Sequence, residues 1–504
     1  MIVCLYNDAP ETYLATPIGE RTTIERVKTY VDRVEDLAGT DAETGAGSEV
    51  VVYTTRELDG LPHGWRVRTG PPLTQRSLVA LLGEYTRGPD TELLVSYLDR
   101  PFLNAELTER MLRRHRDYRA EYTFADGYPR GLAPEILSGR AVSHLEQLAD
   151  ESTRIDREGV FAIVQKDINR LDVETELSRV DQRLLRLELN VSTRANLALC
   201  RRLAAGAPEA IDDWAAHVES RHVEHRTLPR FVSVQVLEQE VQRLAYSPYP
   251  AMREDVLAPG RVMSAETFSD LVRRIDAFAP EAIVHVSLWG EASLHPEIES
   301  IVDLVLGTES LTLLVETSGI GWKLATREKL FATETERLIV IVGMDSNDRS
   351  VYESVRGDGF EEAQRFAREA VARMGSRAYV QAVRSELTEP ALEAFYREWK
   401  QQTERIIVEK YDHFCGALPE RKIGDISPLD RFPCWHLERD LYVLVDGTVP
   451  LCREDIGAKE NLGNVFTDGI DAVWEAGRSR FGEHVNGKFG GICETCDEYY
   501  TFNF

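Results

Sequence analysis

At 504 residues, 43% of them hydrophobic, the chain is long enough for two to four domains with ordinary globular cores rather than one. Its formal charge of -26, from 59 Lys and Arg against 85 Asp and Glu, makes a surface that repels phosphate and argues against nucleic acid or an anionic membrane as partner. Met1 to Asp8 carries no basic segment, no apolar run nears about eighteen residues, and seven cysteines, an odd number with most of them in one cluster, do not read as a secreted disulfide framework, so a cytoplasmic protein is expected.

From 1 to 205 short apolar strands alternate with amphipathic helices, the pattern of an α/β sheet domain. Ile2 to Tyr6, Glu49 to Tyr53 and Leu93 to Leu98 read as buried strands, and Thr23 to Leu37 and Asn104 to His115 as helices. Asn104 is suited to cap its helix, with Leu107 and Met111 on one face. Asp99, after a buried strand, falls at a sheet's C-terminal edge, where open α/β sheets place ligands. Asp126 to Pro129 and Gly131 read as a turn and loop, and the charged stretch 167–197 as a solvated face backed by Leu171, Val173, Leu177 and Val180.

Asp99-Arg100-Pro101-Phe102 resembles the Asp-x-Pro metal-binding turn of sugar-nucleotide cytidylyltransferases, and Leu187 to Leu197 resembles the closing stretch of that family. The resemblance implies a nucleotidyltransferase-like open sheet over 1–205. That family's triphosphate loop is glycine-rich and basic; here Asn7 to Gly19 holds two acids, one glycine and no Lys or Arg, and Asn190 and Asn196 stand where metal-binding aspartates are expected.

Residues 206–228, with His217, His222 and His225, read as a helical linker. From Pro229 the rhythm becomes strand-then-helix. Phe231 to Leu237, Ala282 to Leu288, Leu311 to Val315, Arg337 to Val342, Ala378 to Val383 and Arg405 to Val408 are Val/Ile/Leu-rich strands. Helical stretches such as Ala265 to Phe278, Pro296 to Leu306, Phe360 to Met374 and Glu389 to Glu404 separate them. Near-continuous apolar strands with amphipathic crossovers predict a parallel sheet covered by helices, a partial (β/α)6 barrel over 229–425 with its site at the strands' C-terminal ends.

The strand ends carry Trp289-Gly290-Glu291, Thr317-Ser318-Gly319, Asp345 and Arg384. In these motifs the chain resembles the radical S-adenosylmethionine (radical SAM) superfamily with a C-terminal SPASM domain. The resemblance implies that Glu291 takes the cofactor's ammonium, that Ser318 lies in its binding turn, that Asp345 reaches its ribose and that Arg384 pairs with its carboxylate. A carboxylate for an ammonium and a guanidinium for a carboxylate suit such a zwitterion. The superfamily's C-x3-C-x2-C cluster loop aligns with Glu240 to Pro250, which puts Glu240, Leu244 and Ser247 on the cysteine positions. None supplies a thiolate, and no cysteine occurs between Cys200 and Cys415.

Four cysteines gather near the C-terminus, Cys434, Cys452 and the pair Cys493 and Cys496, at spacings that suit a soft metal. Gly447 ahead of Cys452, with Asn464 and Trp474 following, resembles the SPASM opening, so 426–504 is expected to be a SPASM-like metal domain holding a [4Fe-4S] cluster, with zinc as the alternative. Cys415 reads as a fifth ligand or a buried thiol. With Lys410 to Asp412 and Pro433 to Trp435, the whole resembles the spiro-SPASM type. The expected protein is a binding or electron-transfer member that works with a peptide or protein substrate or partner enzyme. The other readings are an active radical SAM enzyme modifying a peptide, a structural zinc protein, and a residual sugar-nucleotide transferase.

Overall fold

The structure is a computed structural model that describes residues 1–38, 48–424 and 427–501. The expected boundary at 425/426 and the residues 502–504 lie outside the described residues. The chain forms two compact units, Met1–His225 and Arg226–Phe504.

Among its described residues the first unit holds seven strands: β1 (Ile2–Asn7), β2 (Glu49–Thr54), β3 (Arg66–Thr69), β4 (Glu92–Tyr97), β5 (Tyr122–Asp126), β6 (Glu135–Ser138) and β7 (Val173–Leu177). They run in the order β3-β2-β1-β4-β6-β5-β7. β1 pairs parallel with β2 and β4, while β6 runs antiparallel to β4 and β5. Period-two alternation gives the sheet two covered faces: Val3 and Leu5 enter one core while Ile2, Cys4 and Tyr6 enter the other. The helix Ala105–Asp117 begins as expected, with Asn104 Oδ1 accepting the Leu107 N–H at 2.9 Å. The stretch 167–197 departs from expectation: it supplies the strand β7, and although Leu171 is buried, Leu177 and Val180 stand exposed at 65% and 51%. Among the described residues β7 pairs with β5 alone; its Val173 packs at the margin of a core cluster, and its Glu174 and Glu176 reach Arg114, so charge supplements a small apolar contact at this sheet edge.

The second unit contains β8 (Phe231–Val234), β9 (Ile283–His285), β10 (Thr312–Thr317), β11 (Leu338–Gly343), β12 (Ala378–Arg384), β13 (Ile406–Lys410) and β14 (Asp440–Val443). All pair parallel in the order β13-β12-β11-β10-β9-β8-β14. The six expected strands are present. The seventh, β14, comes from the cysteine-bearing segment and lies beside β8, so the segment from 426 onward shares the sheet. β14 then turns through Gly447, at φ +85°, into a small antiparallel pair, β15 (Thr448–Pro450) with β16 (Asn461–Asn464).

The same alternation sorts the second sheet. Val232, Val234, Val284, Leu313, Val315, Val340, Val342 and Val380 pack into the main core. The opposite face carries Phe231, Ser233, His285, Leu314, Glu316, Ile341, Gln381, Ile407, Glu409 and Tyr442, and all of these line one cavity. Convergence of side chains from all seven strands on one space requires the sheet to curl around it.

Candidate functional site: a carboxyl-lined cavity beside four cysteines

The cavity has a volume of about 300 Å³ and is walled by the sheet's inner face, the loop 240–248 and the strand-end turns. Glu291 is buried and its carboxylate is fully engaged. Oε1 accepts from Thr317 Oγ1 at 2.6 Å and Ser293 N at 3.3 Å; Oε2 accepts from Ser318 Oγ at 2.7 Å and Ser318 N at 2.8 Å. Gly290, at φ +110°, brings its backbone so close to the chain that an added Cβ would meet Leu237 O at 2.2 Å, and its N–H donates to Glu240 Oε1 at 2.9 Å.

Asp345, in the left-handed region at φ +57°, is fully buried. It accepts from Arg356 Nε at 2.5 Å, Tyr246 Oη at 2.9 Å and Val383 N at 2.7 Å. Arg384 lies elsewhere: it is the exposed last residue of β12 and pairs with Glu389 at 2.7 and 2.8 Å. The structure thus brings Glu291, Ser318 and Asp345 to the cavity region and leaves Arg384 outside it. The guanidinium on Asp345 is that of Arg356, from the helix Arg349–Arg356.

Glu240, Leu244 and Ser247 all line the cavity. Burial, reinforced by Glu291, pushes the Glu240 carboxyl up to about 8. Glu316 and Glu409 share the amide of Gln381, whose Nε2 donates to Glu316 Oε1 at 3.0 Å and Glu409 Oε2 at 3.1 Å. Burial raises both, Glu409 to about 7. His285, buried and near Arg453, is driven down to about 3 and is neutral. Reading the strands as continuous apolar runs passes over Ser233, His285, Glu316, Gln381 and Glu409, and their signal is polar residues on alternate positions of otherwise aliphatic strands.

The four cysteines meet in a second, small cavity. Cys434 precedes the helix Trp435–Arg439, Cys452 follows β15, and Cys493 and Cys496 sit in the turn after Gly491. All four are free thiols; three are buried and Cys496 is half-buried. Burial first, then neighbouring acids and thiols, pushes Cys434 and Cys452 well up, and Cys493 to about 12. Cys496 is lowered, foremost by a hydrogen bond from Cys415. Four converging thiols, three of them buried and pushed up by burial and by their neighbours, fit an iron-sulfur cluster or a metal cation that supplies the compensating charge. Cys415 therefore stands at this site, its one S–H within reach of both Cys496 and Ile492 O, the latter at 3.4 Å.

Arg453 lines both cavities. It pairs with Asp412 at 3.0 Å, Glu454 at 3.1 Å, Glu498 at 3.4 Å and Glu409 at 3.7 Å, and Lys410 holds Glu498 and Asp497 beside it. Arg453 is thus common to the lining of the carboxyl cavity and of the cysteine cavity.

In the first unit Asp99 is buried with Oδ2 2.7 Å from Arg157 Nη1, and Arg157 also holds Asp8 at 2.6 Å. Asn190 Oδ1 accepts from Ser192 N, Ser192 Oγ and Asn196 Nδ2. Of the groups expected to face a nucleotide's metal, Asp99 is paired with Arg157 and Asn190 Oδ1 is taken by its own turn, while Asp99 Oδ1 and Asn196 Oδ1 are buried with no hydrogen-bond partner among the described residues.

Residues 434–497 match SPASM, an iron-sulfur cluster-binding domain. Over 360 residues the chain is 34% identical to an uncharacterized protein of Treponema pallidum (strain Nichols), an alignment covering 68% of this chain and 98% of that protein. The chain belongs to the family of this treponemal protein. Among solved structures, Streptococcus suis SuiB bound to precursor peptide SuiA is 13% identical with a TM-score of 0.43, covering 62% of this chain and 77% of that one. anSMEcpe with bound AdoMet is 15% identical with a TM-score of 0.40, covering 54% and 84%. The SPASM match of this family member spans all four clustered cysteines and leaves Cys415 outside.

Proposed function

We propose that this SPASM-bearing protein holds one [4Fe-4S] cluster on Cys434, Cys452, Cys493 and Cys496, within a radical-SAM-like sheet that does not assemble the cluster needed to cleave S-adenosylmethionine. It acts by binding, or by electron transfer with a peptide or protein partner. The observation that carries this reading is the loop 240–248: Glu240, Leu244 and Ser247 face the cavity where thiolates are needed, and Glu240 is already hydrogen-bonded to Gly290. Supporting it, Glu291 and Asp345, the groups that would take the cofactor's ammonium and ribose, are saturated by their own turns and by Arg356. When bound, such a cluster supplies one-electron transfer, tuned by burial and nearby hydrogen bonds. Arg453, adjacent to Cys452, is the charged group best placed to do that tuning.

Anaerobic purification with iron, sulfide and zinc analysis tests the proposal. About four iron and four sulfide per chain is the expected result, and one zinc without sulfide overturns it. Release of 5′-deoxyadenosine on reduction with S-adenosylmethionine overturns the second half.

A further inference from the structure

We infer that the cavity of the second unit binds an aliphatic ligand through its ammonium group, held by the carboxyls of Glu316, Glu409 and Glu240. The inference rests on the reading that no cluster occupies this cavity. Glu316 and Glu409 are deep in the protein yet their side chains are 41% and 38% open, and what they open to is the cavity. Each carboxyl lacks a tight cation. Among the described residues Glu409 is 3.7 Å from Arg453, Glu316 has the imidazole of His285 at 3.6 Å as its one ion-pair neighbour beside the Gln381 amide, and Glu240 has no ion pair, with Arg356 and Arg453 acting at longer range. Arg356 is committed to Asp345, and Lys410 to Glu498 and Asp497.

Two further buried groups point to a ligand. His285 Nε2 and Gln242 Oε1 have no hydrogen-bond partner, although both residues are more than nine-tenths buried and line the cavity. With Nδ1–H donating to Ser233 Oγ, 2.8 Å away, the imidazole presents its Nε2 lone pair as a further acceptor for an N–H donor. Phe231, Leu314 and Ile341 form one apolar patch on the same wall, suited to methylene groups. A metal cation fits less well: the Gln381 amide stands between Glu316 and Glu409, and among the described residues no three ligand atoms of this wall gather within 4.8 Å.

The test is calorimetry on the full chain, with Trp289 emission as a second readout because that ring lines the cavity. Pentylamine is compared with its neutral isostere pentanol, and with N-acetyl-lysine amide to distinguish a free amine from a lysine side chain. We expect pentylamine to bind at least tenfold tighter than pentanol, and Glu316→Gln and Glu409→Gln each to weaken it about tenfold with an unchanged circular-dichroism spectrum. Tighter binding of the lysine amide than of pentylamine supports a peptide-borne ammonium; weaker binding supports a free amine. Equal binding of amine and alcohol overturns the inference, whether or not the variants fold. So does undiminished amine binding by both folded variants, or displacement of the amine by S-adenosylmethionine at lower concentration. Iron and sulfide analysis of the same preparation reads the cluster proposal separately: two clusters per chain would refute that reading and the inference with it, whereas a single cluster leaves the amine-against-alcohol comparison to decide the inference alone.

Discussion

Replacing Asp345 by Ala strands the guanidinium of Arg356 in the interior. The two side chains are 0% and 5% exposed, and Asp345 also receives the Val383 N–H and the Tyr246 hydroxyl. Breaking a buried pair by removing one partner costs about 3–5 kcal/mol, and leaving the Val383 N–H unmet adds about 1 kcal/mol. The expected loss is about 4–6 kcal/mol, comparable with the whole stability of an ordinary domain at about 5–15 kcal/mol. Urea unfolding followed by tryptophan emission and circular dichroism measures it. The double variant Asp345→Leu with Arg356→Met removes both charges and is expected to recover most of the loss. Arg384→Ala, at an exposed pair, is expected to leave the midpoint within error. A loss below about 1 kcal/mol for Asp345→Ala refutes the argument that Arg356 depends on this carboxylate.

Cys493→Ser and Cys496→Ser are each expected to bring bound iron to background, and an unchanged metal content refutes the ligand assignment. Gly290→Ala forces a Cβ against Leu237 O at a positive φ, with an expected loss of about 2 kcal/mol or more on the same urea assay. For pH, Glu240 and Glu409 hold their protons to about 8 and about 7, above the unfolded value, so the folded state binds more protons and stability falls as pH rises through that range. His285, depressed to about 3, has the opposite sign but has lost its effect above about pH 6.5. Between pH 6.5 and 8.5 the unfolding midpoint is expected to fall in the wild type and to fall less steeply in Glu240→Gln with Glu409→Gln, the remaining slope coming from other raised carboxyls such as Glu438; equal slopes refute the assignment.

The parallel strands of the second unit were legible because each buries its aliphatic face against helices, and the cysteine cluster because its spacing is chemical rather than conformational. β3 and β7 were not legible: Arg66–Thr69 is exposed throughout, and Val173–Leu177, although it alternates Val, Thr and Leu with two acids, buries neither face. Arg384 was a natural choice at a strand end, but the last residue of β12 turns outward, and Arg356 approaches Asp345 from the following helix, a contact no local pattern encodes. Glu409 and Arg453 gained their meaning only when the sheet curled and brought residues 44 apart in sequence to 3.7 Å.

The pairing of β14 with β8 has a consequence for the order in which the chain is made. Asp440 lies opposite Phe231, 209 residues earlier, so the edge of the first strand waits through most of the unit's synthesis for its neighbour. Closing so long a loop late makes this pairing a slow step and leaves a bare β-edge on the nascent chain. The segment that carries the thiols is therefore also the one that finishes the sheet, and a truncation before Asp440 takes away a structural strand along with three of the four clustered cysteines, leaving only Cys434 of the set.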